Sequence, residues 1–187
     1  MTAPVLLDCI RESCAAVASV SRHVRIDHSS LAPYAAALPS DLVHAPFYDN
    51  EHHYRGDPES TAAFIMTLDA INFGSGWFPV LAKRPGMSGY YTIASSLADR
   101  FRAAGPMSAA DLADITPIRC ATLFGQDPDG PATELMSLFA TALNELGNWL
   151  RSAHDGHFLA PIEAAHNSAA SLAASLADAL PGFRDVA

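Results

Sequence analysis

Apolar residues recur at helical spacing along most of the chain, and only the stretch Arg22–Asp27 is β-branched and short enough to suggest extended backbone. Over about residues 4–20, Leu6, Cys9, Ile10, Ala16, Val17 and Val20 mark one face of an amphipathic helix. Residues 29–38 read as a short helix stopped at Pro39. Residues 39–57 then form a long loop carrying His44, His52, His53, Phe47, Tyr48 and Tyr54, a length that marks function or disorder, and the aromatics argue against disorder. The next helix is the best defined. Asp57 suits its N-cap, Pro58 its first position and Gly74 the residue past its end, and Ala62–Phe73 between them is almost wholly apolar. A helix apolar nearly all round belongs at the centre of a fold.

Beyond a Gly/Pro-rich connection over residues 74–87, helices are expected at 88–104 (closed by Gly105-Pro106), 108–115, 116–125, 131–153 (closed by Asp155-Gly156), 157–165 and 168–180. The pattern predicts an all-α fold of eight or nine helices with no sheet and no repeat at a fixed period. The 35 alanines among 187 residues agree with closely packed helices.

Charge narrows the function. With 20 acidic against 11 basic residues, the formal net charge is −9, which disfavours a nucleic-acid backbone or an anionic membrane as partner. A small-molecule or nucleotide ligand stays open; no DNA or RNA duplex and no membrane is expected as a partner, and the chain is expected to be a monomer. The N-terminus has neither a basic region nor a long apolar run, and no 18-residue window is free of polar punctuation, so no signal peptide and no transmembrane helix is expected. Three cysteines, Cys9, Cys14 and Cys120, form no CxxC pair and read as small buried apolar residues in a reducing cytoplasm.

Three groups of residues could carry chemistry. Asp69 and Asn72 lie three apart on the apolar helix, near its C-terminal end. A carboxylate there is either a buried structural acceptor or the floor of a pocket, and both readings stand. Second, Lys83-Arg84-Pro85-Gly86-Met87-Ser88-Gly89 places the sole lysine beside an arginine, ahead of a helix N-terminus that attracts anions or simply caps itself. Third, Phe47, Tyr48, His52, His53, Tyr54, Phe73, Trp77, Phe78, Tyr90 and Tyr91 offer either stacking faces for a base or ordinary wall packing. No metal is expected, because adjacent histidines do not point one way and no carboxylate pair near them has ligand spacing. His154 and His157 read as surface residues. GxSxG, P-loop, GxGxxG-after-strand and HExxH patterns do not occur.

The run Thr67-Leu68-Asp69-Ala70-Ile71-Asn72-Phe73-Gly74-Ser75-Gly76-Trp77-Phe78-Pro79 closely resembles the signature of the queuosine salvage protein family, the queuosine 5′-phosphate N-glycosylases. So do His52-His53-Tyr54, Lys83–Tyr91, the Phe124-Gly125-Gln126-Asp127 turn and Phe183-Arg184-Asp185-Val186. The resemblance implies an all-helical fold similar to DNA glycosylases, no cofactor, and hydrolysis of the N-glycosidic bond of queuosine 5′-monophosphate to release queuine for tRNA modification. It implies Asp69 as the catalytic candidate, and His52, His53, Asn72, Phe73, Trp77, Phe78, Lys83, Arg84, Ser88, Gly89 and Tyr90 as substrate-binding candidates. Family members run on past Phe-Arg-Asp-Val into a second half with a Lys-Arg-Ala-Gln-type motif and an acidic site residue. Residues 1–187 therefore read as one helical domain, either the N-terminal part of a longer family protein or a shortened homologue. The competing class is a non-catalytic helical module that binds the nucleotide or a partner.

Overall fold

The computed structural model describes residues 3–39 and 48–184, which form nine α-helices and no strand among the described residues. They divide into two compact units, residues up to 48 and residues from 49 onward. The all-α expectation holds in both.

The first unit contains α1 (Ala3–Val20), a 3-10 turn (His28–Ser30) and α2 (Leu31–Ala37). Asp27 caps the turn by accepting from the Ser29 N–H at 2.9 Å, and the Ser29 and Ser30 hydroxyls on its carboxylate hold its pKa below the ordinary value. Arg22–Asp27 forms no strand. Residues 8–39 are all exposed, including Ile10, Val17 and Val20 on α1. Cys9 and Cys14 are exposed too, which corrects the expectation of three buried cysteines. Only Cys120 is buried, and its thiol is pushed up to about 12 by desolvation.

The second unit holds the core: α3 (Pro58–Ala70), α4 (Gly89–Ala104), α5 (Ala109–Ala113), α6 (Pro117–Leu123), α7 (Thr133–Ala153), α8 (Ala160–Ala164) and α9 (Ala169–Ala179). Helix α7 is its spine. Leu135, Phe139, Leu143, Leu146 and Leu150 repeat at three- and four-residue intervals along it and are buried. This face packs against α5, α6 and α3, and α3 also packs against α4. Each such side chain contributes roughly 1.5–3 kcal/mol when fully buried. The α5–α7 approach is close because residue 147 is glycine; a Cβ there would overlap the Ala113 N–H and the Ala109 carbonyl. Nearby, the Asn144 amide donates to the carbonyls of Leu112, Ala113 and Ile115 at 2.8–3.0 Å, satisfying the end of α5.

Helix α3 starts as its sequence directs. The Asp57 carboxylate accepts from the Ser60 N–H at 2.9 Å, and Pro58 occupies the first turn. Glu59 also reaches across the unit, where its two oxygens accept from the N–H groups of Phe158 and Leu159 at 2.7 and 2.9 Å. The other end stops earlier than the apolar run suggests. The helix closes at Ala70 with Ile71 as C-cap, and Gly74 (φ 83°) turns the chain into a 3-10 turn over Ser75–Trp77. Asn72 and Phe73 are thus beyond the helix, not on it. Gly74 lies against Leu135, where an added Cβ would stand 2.5 Å from that side chain, so the turn there requires glycine.

Among the described residues, no helix is long and apolar enough to cross a membrane.

Candidate functional site

The last turn of α3 and the first turn of α4 bring Asp69 and Tyr90 into the same electrostatic neighbourhood, together with a turn over residues 49–53. That turn is organised by Asp49. Its carboxylate accepts from the N–H groups of Glu51 (2.9 Å) and His52 (3.3 Å), and its carbonyl accepts from the His53 N–H at 3.0 Å.

The imidazole of His53 is fixed at both nitrogens. Nδ1 lies 2.9 Å from the Asp49 carbonyl, and Nε2 lies 2.8 Å from the Tyr90 hydroxyl. A carbonyl only accepts, so Nδ1 carries the proton; in the neutral ring Nε2 therefore accepts from the Tyr90 O–H. Asp69 reaches solvent on one side, yet enough protein surrounds its carboxyl that desolvation raises its pKa, with His53 pulling the other way. The Tyr90 phenol is raised as well, by burial first and then by the charges of Asp69, Tyr91 and Asp49. A carboxylate of raised pKa beside an imidazole–phenol pair can hold a water, accept its proton, or face a developing cation.

His52 belongs to the neighbouring wall. Its Nδ1 is 3.1 Å from the Ser95 hydroxyl, and its ring is tilted against Tyr91 with centroids 4.5 Å apart. His52 and His53 thus engage different partners. Among the described residues no three His, Cys, Asp or Glu side chains gather as metal ligands.

The remaining candidates each make contacts of their own. Asn72 is exposed, and its amide has no partner among the described residues. Phe73 is also exposed, standing edge-on to Phe139 at 5.3 Å. Trp77 is half-buried against the core, and the ring of half-buried Phe78 covers Gly89 so closely that any Cβ at 89 would overlap it. Phe78 and Gly89 therefore set the start of α4. Ser88 caps that helix, its Oγ accepting from the Tyr91 N–H at 3.1 Å.

Lys83 and Arg84 differ. Lys83 is exposed and makes no hydrogen bond or ion pair among the described residues. Arg84 places Nη1 2.7 Å from the Asp99 carboxylate, and its N–H donates to the Thr92 hydroxyl at 3.1 Å. The strand of chain ahead of them is clamped by buried Gln126, whose Oε1 accepts from the Ala82 N–H (2.9 Å) and whose Nε2 donates to the Ala82 carbonyl (3.0 Å). A cavity of about 340 Å³ opens beside Lys83, Arg84, Thr92, Ser96 and Gly125.

Sequence reasoning passed over Asp49, Ser95, Asp99 and Arg102, and saw Gln126 only as part of a turn. Asp99 and Arg102 share a helix face with Ser95 and Tyr91, and their i,i+3 spacing was a visible signal, as was Asp49 ahead of a turn. The contacts that make them matter cross between elements and leave no local pattern.

Two comparisons bear on these residues. The sequence model of the family described as queuosine salvage protein matches residues 52–187. A protein of Sphaerobacter thermophilus named queuosine 5′-phosphate N-glycosylase/hydrolase is 33% identical over 175 residues, which is 91% of this chain and 53% of that protein. The chain thus spans about half the length of this relative.

Proposed function

The chain belongs to the queuosine salvage protein family, and we propose that its site binds queuosine 5′-monophosphate and hydrolyses the N-glycosidic bond, releasing queuine for reuse in tRNA modification. The observation that carries this reading is the Asp69 carboxyl, partly enclosed by protein, in the electrostatic neighbourhood of the hydrogen-bonded His53–Tyr90 pair.

Cleavage of a ribose N-glycosidic bond passes through an oxocarbenium-like state. Water attacks C1′, the C1′–N bond breaks with its electron pair moving to the base, and one proton of the water finally resides on the released base. In this proposal ionised Asp69 orients the water, offsets the positive charge at C1′ and takes the proton. A 7-deazaguanine has carbon in place of N7, so the negative charge on the leaving base must be met by hydrogen bonds at its other edges. Asn72, with an uncommitted amide, reads the base or ribose. Phe73 and Trp77 offer ring faces, His53 and Tyr90 line the entrance, and His52 extends that wall. Lys83 and Arg84, with the Ser88–Gly89 helix start, draw the 5′-phosphate, and Phe78 fixes that start in place.

The test is to incubate the purified chain with queuosine 5′-monophosphate and measure free queuine by chromatography, alongside Asp69→Asn. The expected result is base release by the native chain and a loss of about 10²-fold or more in the variant. Binding without release by the native chain would reject the hydrolase reading in favour of a nucleotide-binding module; unchanged turnover in the variant would remove Asp69 from the chemistry.

A further inference from the structure

We propose that Arg102 is a positioning residue that holds the His53 imidazole in register with Tyr90 and Asp69; the proposal rests on the functional reading above for its kinetic consequence. Arg102 lies in the last turn of α4, far along the helix from Tyr90 in its first turn. Its Nη2 donates to the carbonyls of Asn50, Glu51 and His53 at 3.0, 3.3 and 2.8 Å. Its Nη1 meets the Asp99 carboxylate at 3.2 Å, and the other oxygen of that carboxylate meets Arg84 at 2.7 Å.

Three carbonyls that converge on one nitrogen point their negative ends at each other, so the bend they belong to needs a cation at its focus. Asp49 satisfies the opposite set of groups, accepting the N–H bonds of Glu51 and His52. The turn is therefore gripped from its donor side by Asp49 and from its acceptor side by Arg102. His53 hangs from it, with Nδ1 on the Asp49 carbonyl and Nε2 on the Tyr90 hydroxyl. Because Tyr90 and Arg102 stand on the same helix, α4 acts as a ruler that sets both the partner of the ring and the anchor of the turn carrying it. The ion pair with Asp99 adds little to stability by itself. The Arg102 and Asp99 side chains are 41% and 54% exposed, and exposed pairs contribute about 1 kcal/mol or less. Asp99 extends the same frame to Arg84, so one carboxylate references the histidine turn and the cation loop to a single helix face.

The experiment compares the native full chain with Arg102→Met, which keeps the stem and removes the donors, and with Arg102→Lys, which restores a charge without the fork. Nitrogen–proton correlation spectra report the His53 tautomer directly. The expected result is a single Nδ1–H tautomer in the native chain and a mixture in Arg102→Met. Alongside it, kcat for queuosine 5′-monophosphate falls about 10-fold or more, with KM within about 2-fold, and Arg102→Lys lies between. A folded Arg102→Met with native tautomer and native kcat overturns the proposal. So does an equal loss in both variants that tracks a fall in Tm, because that is a structural role only. Should Arg102→Met not fold, Arg102→Lys decides: a mixed tautomer at native Tm supports the proposal, and a native tautomer with native kcat overturns it. If the native chain releases no base, the functional reading fails, while the tautomer comparison still judges the positioning.

Discussion

In one region of the molecule, His53 is bonded at both ring nitrogens and its turn is gripped by Asp49 and Arg102. In another, Lys83 stands exposed without a partner among the described residues, and Arg84 is already matched by Asp99. The first region is held rigidly, as the proposed bond-breaking step would require. The second keeps one uncommitted charge and one shared charge, which suits the capture of a flexible anion in a chain of net charge −9. Geometry is thus invested where bonds would change, and free charge where a group need only be held.

The strongest way to break this contrast is through pH. In the proposed mechanism Asp69 works ionised, and its carboxyl titrates above the ordinary carboxylate value. Base release is therefore expected to fall as pH drops through that raised pKa, by about ten-fold per unit below it. A profile of kcat/KM that stays flat to the ordinary carboxylate range would show that Asp69 is not the base. Stability runs the other way. A carboxyl whose folded pKa is raised favours the fold fully below its unfolded pKa, and that contribution is lost as pH rises through the folded value. Asp69→Asn should consequently have a Tm at neutral pH equal to or above the native one even as activity falls.

The next test separates the two cations. Lys83→Ala should raise KM for queuosine 5′-monophosphate about ten-fold, the loss of a charged hydrogen bond, and leave KM for the unphosphorylated nucleoside unchanged. Arg84→Ala should raise KM less, since its guanidinium is shared with Asp99, and should shift stability by about 1 kcal/mol or less. Equal effects of the two substitutions would erase the asymmetry. The smallest expected effect is at Ser88. Ser88→Ala removes the cap of α4 and should cost about 1 kcal/mol in denaturant unfolding, with KM changed less than by Lys83→Ala. A larger KM effect at Ser88 would assign its hydroxyl to the anion instead of to the helix.

Much of the fold was legible because its signals are local. Asp57, Ser88, Ser108 and Thr116 each cap the helix that follows them, and Gly105 closes α4. The apolar run of α3 identified the central helix but continues past Ala70, where the helix ends, so apolarity alone overran the boundary. Asn72 and Phe73 were placed on the wrong element for that reason. The site was legible as residue types and not as bonds. His53, Tyr90 and Asp69 stood out individually, but the pairing of His53 with Tyr90 spans 37 positions and the grip of Arg102 on the His53 carbonyl spans 49. Gln126 and Glu59 carry no local anomaly, and their importance comes only from where α3 to α7 bring them.

The bond from Glu59 to the Phe158 N–H joins groups 99 positions apart, so the chain between them, which carries Asp69, Tyr90 and Arg102 but not the histidine turn, is a ring closed by one carboxylate. Closing a ring this long requires the intervening helices to be nearly in place, which puts the contact late in folding. Interactions that form late leave the folding rate alone and slow the way out. Glu59 is in that sense a latch on lifetime: it governs how often the frame from α3 to the start of α8 comes apart more than how fast it is made.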